Sequence, residues 1–210
     1  MTRPPTPYPV IVLVNLKGGT GKTTLATTIA EDLQAHLVDL DPQGDAHDWA
    51  TRSEIVTATK PNTWKDALAV VETARSRGPV VVDCPPGDVP AIRAALAVAS
   101  VAVIPAKGAM QDIRAVSRMV DLVKEVRTQI NPTLRVGLVL NEARFNTNMA
   151  EQAENAMEKI TGTHYLGHIG LRQSFVDAYI SGRAVHSGLA RKETKAMLEN
   201  LYRLIRRNKP

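Results

Sequence analysis

The chain of 210 residues has a single cysteine, Cys84, so no disulfide framework can staple it, and that usage is consistent with a reducing cytosol. No uninterrupted apolar run reaches the roughly 18 residues that a membrane span needs. Internal repeats and low-complexity linkers are lacking too. The opening MTRPPTPYP carries a positive charge but no apolar stretch of the kind a secretory signal requires. Its prolines suit a disordered lead-in over residues 1–9, ahead of one domain over 10–210. Neither a helix–turn–helix nor a zinc-finger pattern offers base readout. What is left is an ordinary globular composition, 44% hydrophobic and 22% charged.

Charge is present but unevenly placed. The net value is +5, yet residues 1–105 hold 9 Lys+Arg against 11 Asp+Glu, and residues 106–210 hold 17 against 10. Residues 172–210 alone hold 9 basic and 3 acidic side chains. Such asymmetry suggests a polyanion partner for the C-terminal part; a solvated basic surface without a partner is the competing reading.

Short β-branched runs alternate with longer helical patterns. Strands are expected at 10–15, 36–40, 79–83, 100–105 and 135–141, with a weaker one at 163–169. Helices are expected at about 22–34, 63–77, 90–98, 111–130, 148–160 and 188–207. The strands are nearly continuous apolar runs, as in strands buried on both faces. The alternation predicts a doubly wound, mostly parallel α/β sheet with helices on both faces, whose ligands bind beyond the carboxyl ends of the strands.

The first such end reads NLKGGTGKTT. A strand, a glycine-rich loop and a helix N-terminus together make an anion site, because successive backbone N–H groups point inward and the helix dipole favours negative charge. Gly18, Gly19 and Gly21, with Thr20 between them, let the backbone curl closely around phosphate oxygens. Lys22 is placed to reach the β- and γ-phosphates, Thr23 to ligate Mg²⁺, and Thr24 to continue the phosphate contact. The spacing departs from G-x-x-x-x-G-K-[ST]: Leu16 stands where the first glycine belongs, and Lys17 follows it.

That deviant loop, KGGTGKTT, resembles the Walker-A motif of the ParA/MinD family of ATPases, which includes DNA-partition enzymes. The resemblance implies a head-to-head ATP dimer in which Lys17 reaches across to the other subunit's nucleotide. Its charge would stabilise the transferring phosphoryl group in trans. In LVDLDPQGDAHDW the resemblance assigns Asp41 to orienting the attacking water and Asp39 to the Mg²⁺–water network. Strand alternation predicts that both side chains point the same way. DPQ followed by Trp49 resembles the short, ParF-like partition ATPases, with Trp49 expected to pack. IPAKGAMQD resembles a loop of the same subgroup, which places Asp112 near the dimer interface; Lys107 and Gly108 depart from that pattern.

Two more strand ends carry candidate chemistry. PVVVD sets four apolar residues ahead of Asp83, a Walker-B pattern in which the aspartate holds Mg²⁺ through water. Asn141 ends GLVLN, and its amide offers both a donor and an acceptor for an adenine edge. A strand-end turn residue is the plainer reading of the same asparagine.

LRQSFVDAYISGRAV, with Arg172 and Gln173, resembles the ParF-like segment whose basic residues contact DNA without reading sequence. In LARKETKAMLENLYRLIRRNKP an apolar stripe of Ala190, Met197, Leu201, Leu204 and Ile205 suits packing on the sheet. Lys192, Lys195, Arg203, Arg206, Arg207 and Lys209 are left for phosphates, which they would bind in a salt-dependent, sequence-independent way. The helix dipole alone could account for Arg206 and Arg207.

The expected function is a cytoplasmic, nucleoid-associated ATPase that uses ATP and Mg²⁺. It dimerises on ATP, binds double-stranded DNA non-specifically, and positions plasmid or chromosome cargo. No cis arginine finger or catalytic glutamine is evident, so hydrolysis should be slow and raised by a small centromere-binding, ParB/ParG-like adaptor. The alternatives are a membrane-cycling positioning ATPase, whose tail RRNKP here lacks bulky apolar residues to insert, and an ATPase that positions a protein cargo on the nucleoid. A carboxylate-activating ligase on the same scaffold would need a substrate pocket. An iron–sulfur reductase would need two cysteines per chain to bridge subunits.

Overall fold

Side-chain alternation along the first strand sets the architecture. Val10, Val12 and Val14 enter one core, and Ile11 and Leu13 enter the other. A strand with two apolar faces needs a layer on each side. The computed structural model describes residues 8–143 and 148–206. Its elements run β1 (Val10–Leu13), α1 (Lys22–Leu33), β2 (His36–Asp39), α2 (Asp45–Thr51), β3 (Ala58–Thr59), α3 (Trp64–Arg75), β4 (Val80–Asp83) and α4 (Val89–Val98). They continue with β5 (Val101–Ala106), α5 (Met110–Gln129), β6 (Arg135–Ala143), α6 (Asn148–Glu158), β7 (His164–Gly170), α7 (Gln173–Ile180) and α8 (Gly188–Arg206).

The seven strands form one sheet in the order β3-β2-β4-β1-β5-β6-β7, with every pairing parallel. Helices α3, α4, α5 and α6 cover the face that carries Val12 and Val82; α1, α2, α7 and α8 cover the face that carries Leu13 and Val81. β1 lies at the centre, and the chain leaves it first toward β2 and later toward β5. That reversal opens the crevice in which such sheets bind ligands.

Local chemistry explains most boundaries. Thr63 caps α3 by accepting the Asp66 N–H, and Asp88 caps α4 by accepting the Ala91 N–H, with Pro90 in the first turn. Arg135 of β6 donates to the carbonyls of Leu204 and Ile205 and so satisfies the C-terminal end of α8.

Three elements were not expected: α2, the two-residue β3, and α7. Of the lead-in expected over 1–9, residues 1–7 lie outside the described residues. Tyr8 donates its N–H to the Arg75 carbonyl, and the Pro9 carbonyl accepts from Val80. Trp49 is fully buried in the core beneath α1 and α8, as its packing role requires. Among the described residues no helix is long and apolar enough to cross a membrane.

Candidate nucleotide site

The loop between β1 and α1 is held open for an anion. Gly21 caps α1 in the left-handed conformation with φ +85, supplies no side-chain cap, and is followed by no acidic residue in the first turn. The first N–H groups of the helix therefore lack a side-chain acceptor, which is the condition for binding phosphate. Lys22 is buried beside them, and the Thr20 hydroxyl is buried with no hydrogen-bond partner in the protein.

Three contacts from distant elements fix the loop. Asn15 donates to the Pro105 carbonyl (2.7 Å) and accepts the Lys17 N–H (2.9 Å), tying the start of the loop to the end of β5. Asn141, at the end of β6, donates to the Thr20 carbonyl at 2.9 Å. Its Nδ2 lies so close that a Cβ on residue 21 would meet it at 2.0 Å, so glycine is required there for space as well as for φ. The Lys17 ammonium pairs with the Asp112 carboxylate in the first turn of α5; Asp112 is buried, whereas the lysine side chain is 43% exposed. Lys17 and Asp112 are thus brought together within one subunit.

Asp83 ends β4 directly opposite Leu13 of β1. The Thr23 hydroxyl donates to its Oδ2 at 2.7 Å, while its Oδ1 is buried without a partner. Burial is the largest influence on this carboxyl and pushes it up to about 7, with the nearby Asp39 and Asp41 adding to the shift and Thr23 and Lys22 opposing it. A buried, partly unsatisfied carboxylate beside a hydroxyl fits a hard cation bound largely through water, so Thr23 and Asp83 suit Mg²⁺.

Several expectations need correcting. Asp39 and Asp41 do not alternate along one strand, because β2 stops at Asp39. Asp39 instead accepts the backbone N–H groups of Asp41 and His47, both at 2.9 Å, and so shapes the loop that carries Asp41. Asp39 also lies close enough to the Asp83 carboxyl to help raise its pKa. Asp41 is half-buried, and its Oδ1 accepts the Gln43 N–H. Asn141 donates to the loop carbonyl and also lines the cavity beside the loop. Arg172 is no free cation: its Nε and Nη2 donate to Glu193 of α8, at 3.2 and 2.6 Å. Lys107 pairs with Glu142, which stands at a bulge in β6 with φ +52. Lys192, Lys195, Arg203 and Arg206 are exposed on α8; Arg207 and Lys209 lie outside the described residues.

A cavity of about 360 Å³ adjoins the loop, lined by Thr23, Thr24, Asn141, Arg172, Phe175 and Tyr179 among others. Its size and largely apolar wall suit a purine base. The aromatic wall was missed in the sequence because α7 was not expected to be a helix; the spacing of Phe175, Val176, Tyr179 and Ile180 was the available signal.

Comparisons with known proteins identify a nucleotide-binding family. Residues 11–185 match the CobQ/CobB/MinD/ParA nucleotide binding domain. The maintenance of carboxysome distribution protein A of Halothiobacillus neapolitanus is 29% identical over 196 residues, covering 89% of this chain and 90% of that protein. The chromosome-partitioning ATPase Soj of Thermus thermophilus is 30% identical over 188 residues, covering 69% and 73% respectively. In fold, the chain is similar to an ATP complex of Cyanothece McdA, with a TM-score of 0.77 at 13% identity over 95% of this chain and 97% of the other. The chain belongs to the CobQ/CobB/MinD/ParA nucleotide binding family and is a P-loop ATPase of the ParA/MinD positioning type.

Proposed function

We infer that the chain is an ATP-switched positioning ATPase that closes head to head around two nucleotides, grips DNA without reading its sequence, and lets go after hydrolysis. The observation that carries this reading is the division of labour between two lysines. Lys22 is buried at the start of α1 for the chain's own phosphates, while Lys17 sits half-exposed on the outer side of the loop, held by Asp112.

The steps follow from the residues present. The α1 N–H groups and Lys22 hold the β- and γ-phosphates, and the 360 Å³ cavity takes the base. Thr23 and Asp83 would hold Mg²⁺, which neutralises charge on the β- and γ-oxygens. Asp41 orients a water whose oxygen attacks the γ-phosphorus while the bond to the β–γ bridging oxygen breaks, giving ADP, hydrogen phosphate and a proton that passes to solvent. Lys17 of the second copy, released from Asp112, stabilises the charge that builds up. On α8, Lys192, Lys195, Arg203 and Arg206 meet DNA phosphates, with affinity gained through counterion release. A small adaptor raises the slow basal rate and links the cycle to a DNA cargo on the nucleoid.

A second reading of the cargo draws support from the relatives. The Halothiobacillus protein is named for carboxysome distribution, which favours a protein assembly as cargo on the same DNA track. The two readings share the DNA-binding step and differ in the adaptor.

The test is duplex binding with ATP, with ADP and without nucleotide, for the native chain and for Lys17→Ala. ATP-dependent binding in the native chain, lost in the variant, is expected. Equal binding under all conditions removes the switch, and a monomer under a saturating non-hydrolysable nucleotide with magnesium removes the dimer.

A further inference from the structure

The nucleotide cavity and the cationic helix share one side chain. Glu193 belongs to α8, yet its carboxylate serves the wall of the cavity: Oε2 accepts the Gly170 N–H at 3.0 Å and Arg172 Nε at 3.2 Å, and Oε1 accepts Arg172 Nη2 at 2.6 Å. The side chain is only 9% exposed, and the fork-to-fork geometry with Arg172 is rigid as well as strong. Gly170 and Arg172 both line the cavity, at the junction between β7 and α7.

Two lysines beside Glu193 are open to solvent. Lys192 and Lys195 are exposed on either side of it, while Thr194 is buried and bonds back to the Ala190 carbonyl. On either side of this stretch α8 is fastened to α1: Arg191 pairs with Asp32 at 3.4 Å, and the Tyr202 hydroxyl also bonds Asp32. α1 begins at the phosphate loop. The cationic helix is therefore attached at two points, one on the base side of the nucleotide and one on the helix that starts at its phosphates.

We propose that Glu193 is a positioning residue that couples the nucleotide cavity to the DNA grip, so that an occupied cavity fixes Gly170 and Arg172 and, through them, the orientation of Lys192 and Lys195. The proposal rests on the nucleotide-switched DNA reading above and adds to it the route of coupling. A nucleotide bound between the phosphate loop and the 170–176 segment holds both attachments of α8 in one relative position. By linkage, the factor by which nucleotide tightens DNA equals the factor by which DNA tightens nucleotide.

The experiment measures that factor as the ratio of duplex affinity with Mg²⁺ and a non-hydrolysable ATP analogue to the affinity without nucleotide. It compares the full-length native chain with Glu193→Gln and Glu199→Gln. Glu199 is an exposed carboxylate on the same helix, so its removal controls for charge alone. Both variants remove a negative charge from the basic helix and should bind DNA more tightly in every state. Only Glu193→Gln should collapse the ratio, from the 5- to 150-fold typical of coupled sites to about one. It should also weaken the analogue's own affinity, measured without DNA, by at least about 5-fold, with Glu199→Gln unchanged.

The outcomes separate cleanly. A native ratio near one, or a Glu193→Gln ratio equal to the native one, overturns the coupling. A native chain that binds no DNA in any state defeats the functional reading instead. The analogue affinities then decide whether Glu193 positions the cavity wall, and equal values for the native chain and Glu193→Gln overturn that as well.

Discussion

The Lys17 ammonium and the Asp112 carboxylate meet across 95 residues of sequence, one at the rim of the phosphate loop and the other in the first turn of α5. The pair is lopsided: Asp112 is 2% exposed and Lys17 is 43% exposed. Removing the two partners should therefore have unequal effects. Lys17→Ala leaves a buried carboxylate without its counter-charge, which costs about 3–5 kcal/mol when a pair is fully buried. Because this lysine is open to water, about 1–3 kcal/mol is expected. Asp112→Asn leaves a solvated lysine and a neutral amide, for about 1 kcal/mol or less. Urea unfolding of the nucleotide-free variants checks the order. An Asp112→Asn loss equal to or larger than that of Lys17→Ala would contradict it.

Gly21 and Asn141 make a second pair whose behaviour can be calculated in outline. A Cβ at residue 21 would lie 2.0 Å from Asn141 Nδ2, and φ there is +85. Gly21→Ala should lose nucleotide binding and about 1–3 kcal/mol of stability from backbone strain, with the steric clash added. Asn141→Ala alone removes the bond to the Thr20 carbonyl and should cost about 1 kcal/mol. In the double variant the clash is gone but the left-handed φ remains, so the combined loss should fall short of the sum of the two single losses. Strict additivity, read by thermal unfolding and fluorescent-nucleotide binding, would show that the contact is not tight.

The contrast between these residues shows how far the amino-acid order reveals the site. Gly18 to Thr24 are contiguous, and a phosphate loop is a local structure, so strand, turn and helix periodicity expose it at once. Asp83 is legible for the same reason, at the end of an apolar run. Asn141 and Asp112 act on that loop from a separate strand and a separate helix, and only the sheet order brings them to it. Asn15 stands within the motif, but its Pro105 partner does not. The period-two argument does not reach Asp41, because β2 ends at Asp39, whose carboxylate accepts the Asp41 N–H in the turn that follows. α2 hides among the turn residues of DPQGDAHDW. α7 is only eight residues long, so the spacing of Phe175, Val176, Tyr179 and Ile180 spans fewer than two turns and makes a weak signal. Arg172 counted as a free cation only while Glu193 stood unseen, 21 residues away.

His36 provides a pH test at the start of β2, the opposite end of that strand from Asp39. Its ring nitrogens lie 3.0 Å from the hydroxyls of Thr57 and Thr59, an arrangement a neutral imidazole satisfies by donating from one nitrogen and accepting at the other. Burial lowers its pKa below the ordinary 6.5. Below that pH the unfolded chain takes up a proton that the folded chain refuses. Stability should therefore fall as pH drops from about 6.5 toward the folded value, by up to about 1.4 kcal/mol per pH unit. Above 6.5 the residue contributes no pH dependence. The difference between native and His36→Gln unfolding curves isolates this contribution, and a flat difference from pH 7 to 5 would refute it.

The exposed cations of α8 give the most direct reading of the DNA interface, because counterion release counts contacts. Each phosphate neutralised contributes about 0.9 to the slope of log affinity against log salt. Lys192→Ala, Lys195→Ala, Arg203→Ala and Arg206→Ala should each flatten that slope by about 0.9 in the ATP-bound state, for every duplex sequence alike. Arg172→Ala should leave the slope in place, because its guanidinium is committed to Glu193. It should instead weaken nucleotide binding, since it lines the cavity. Isothermal titrations across a salt series separate the two behaviours. If Arg172→Ala flattens the slope and the α8 variants do not, the phosphate-binding surface lies along α7, not α8.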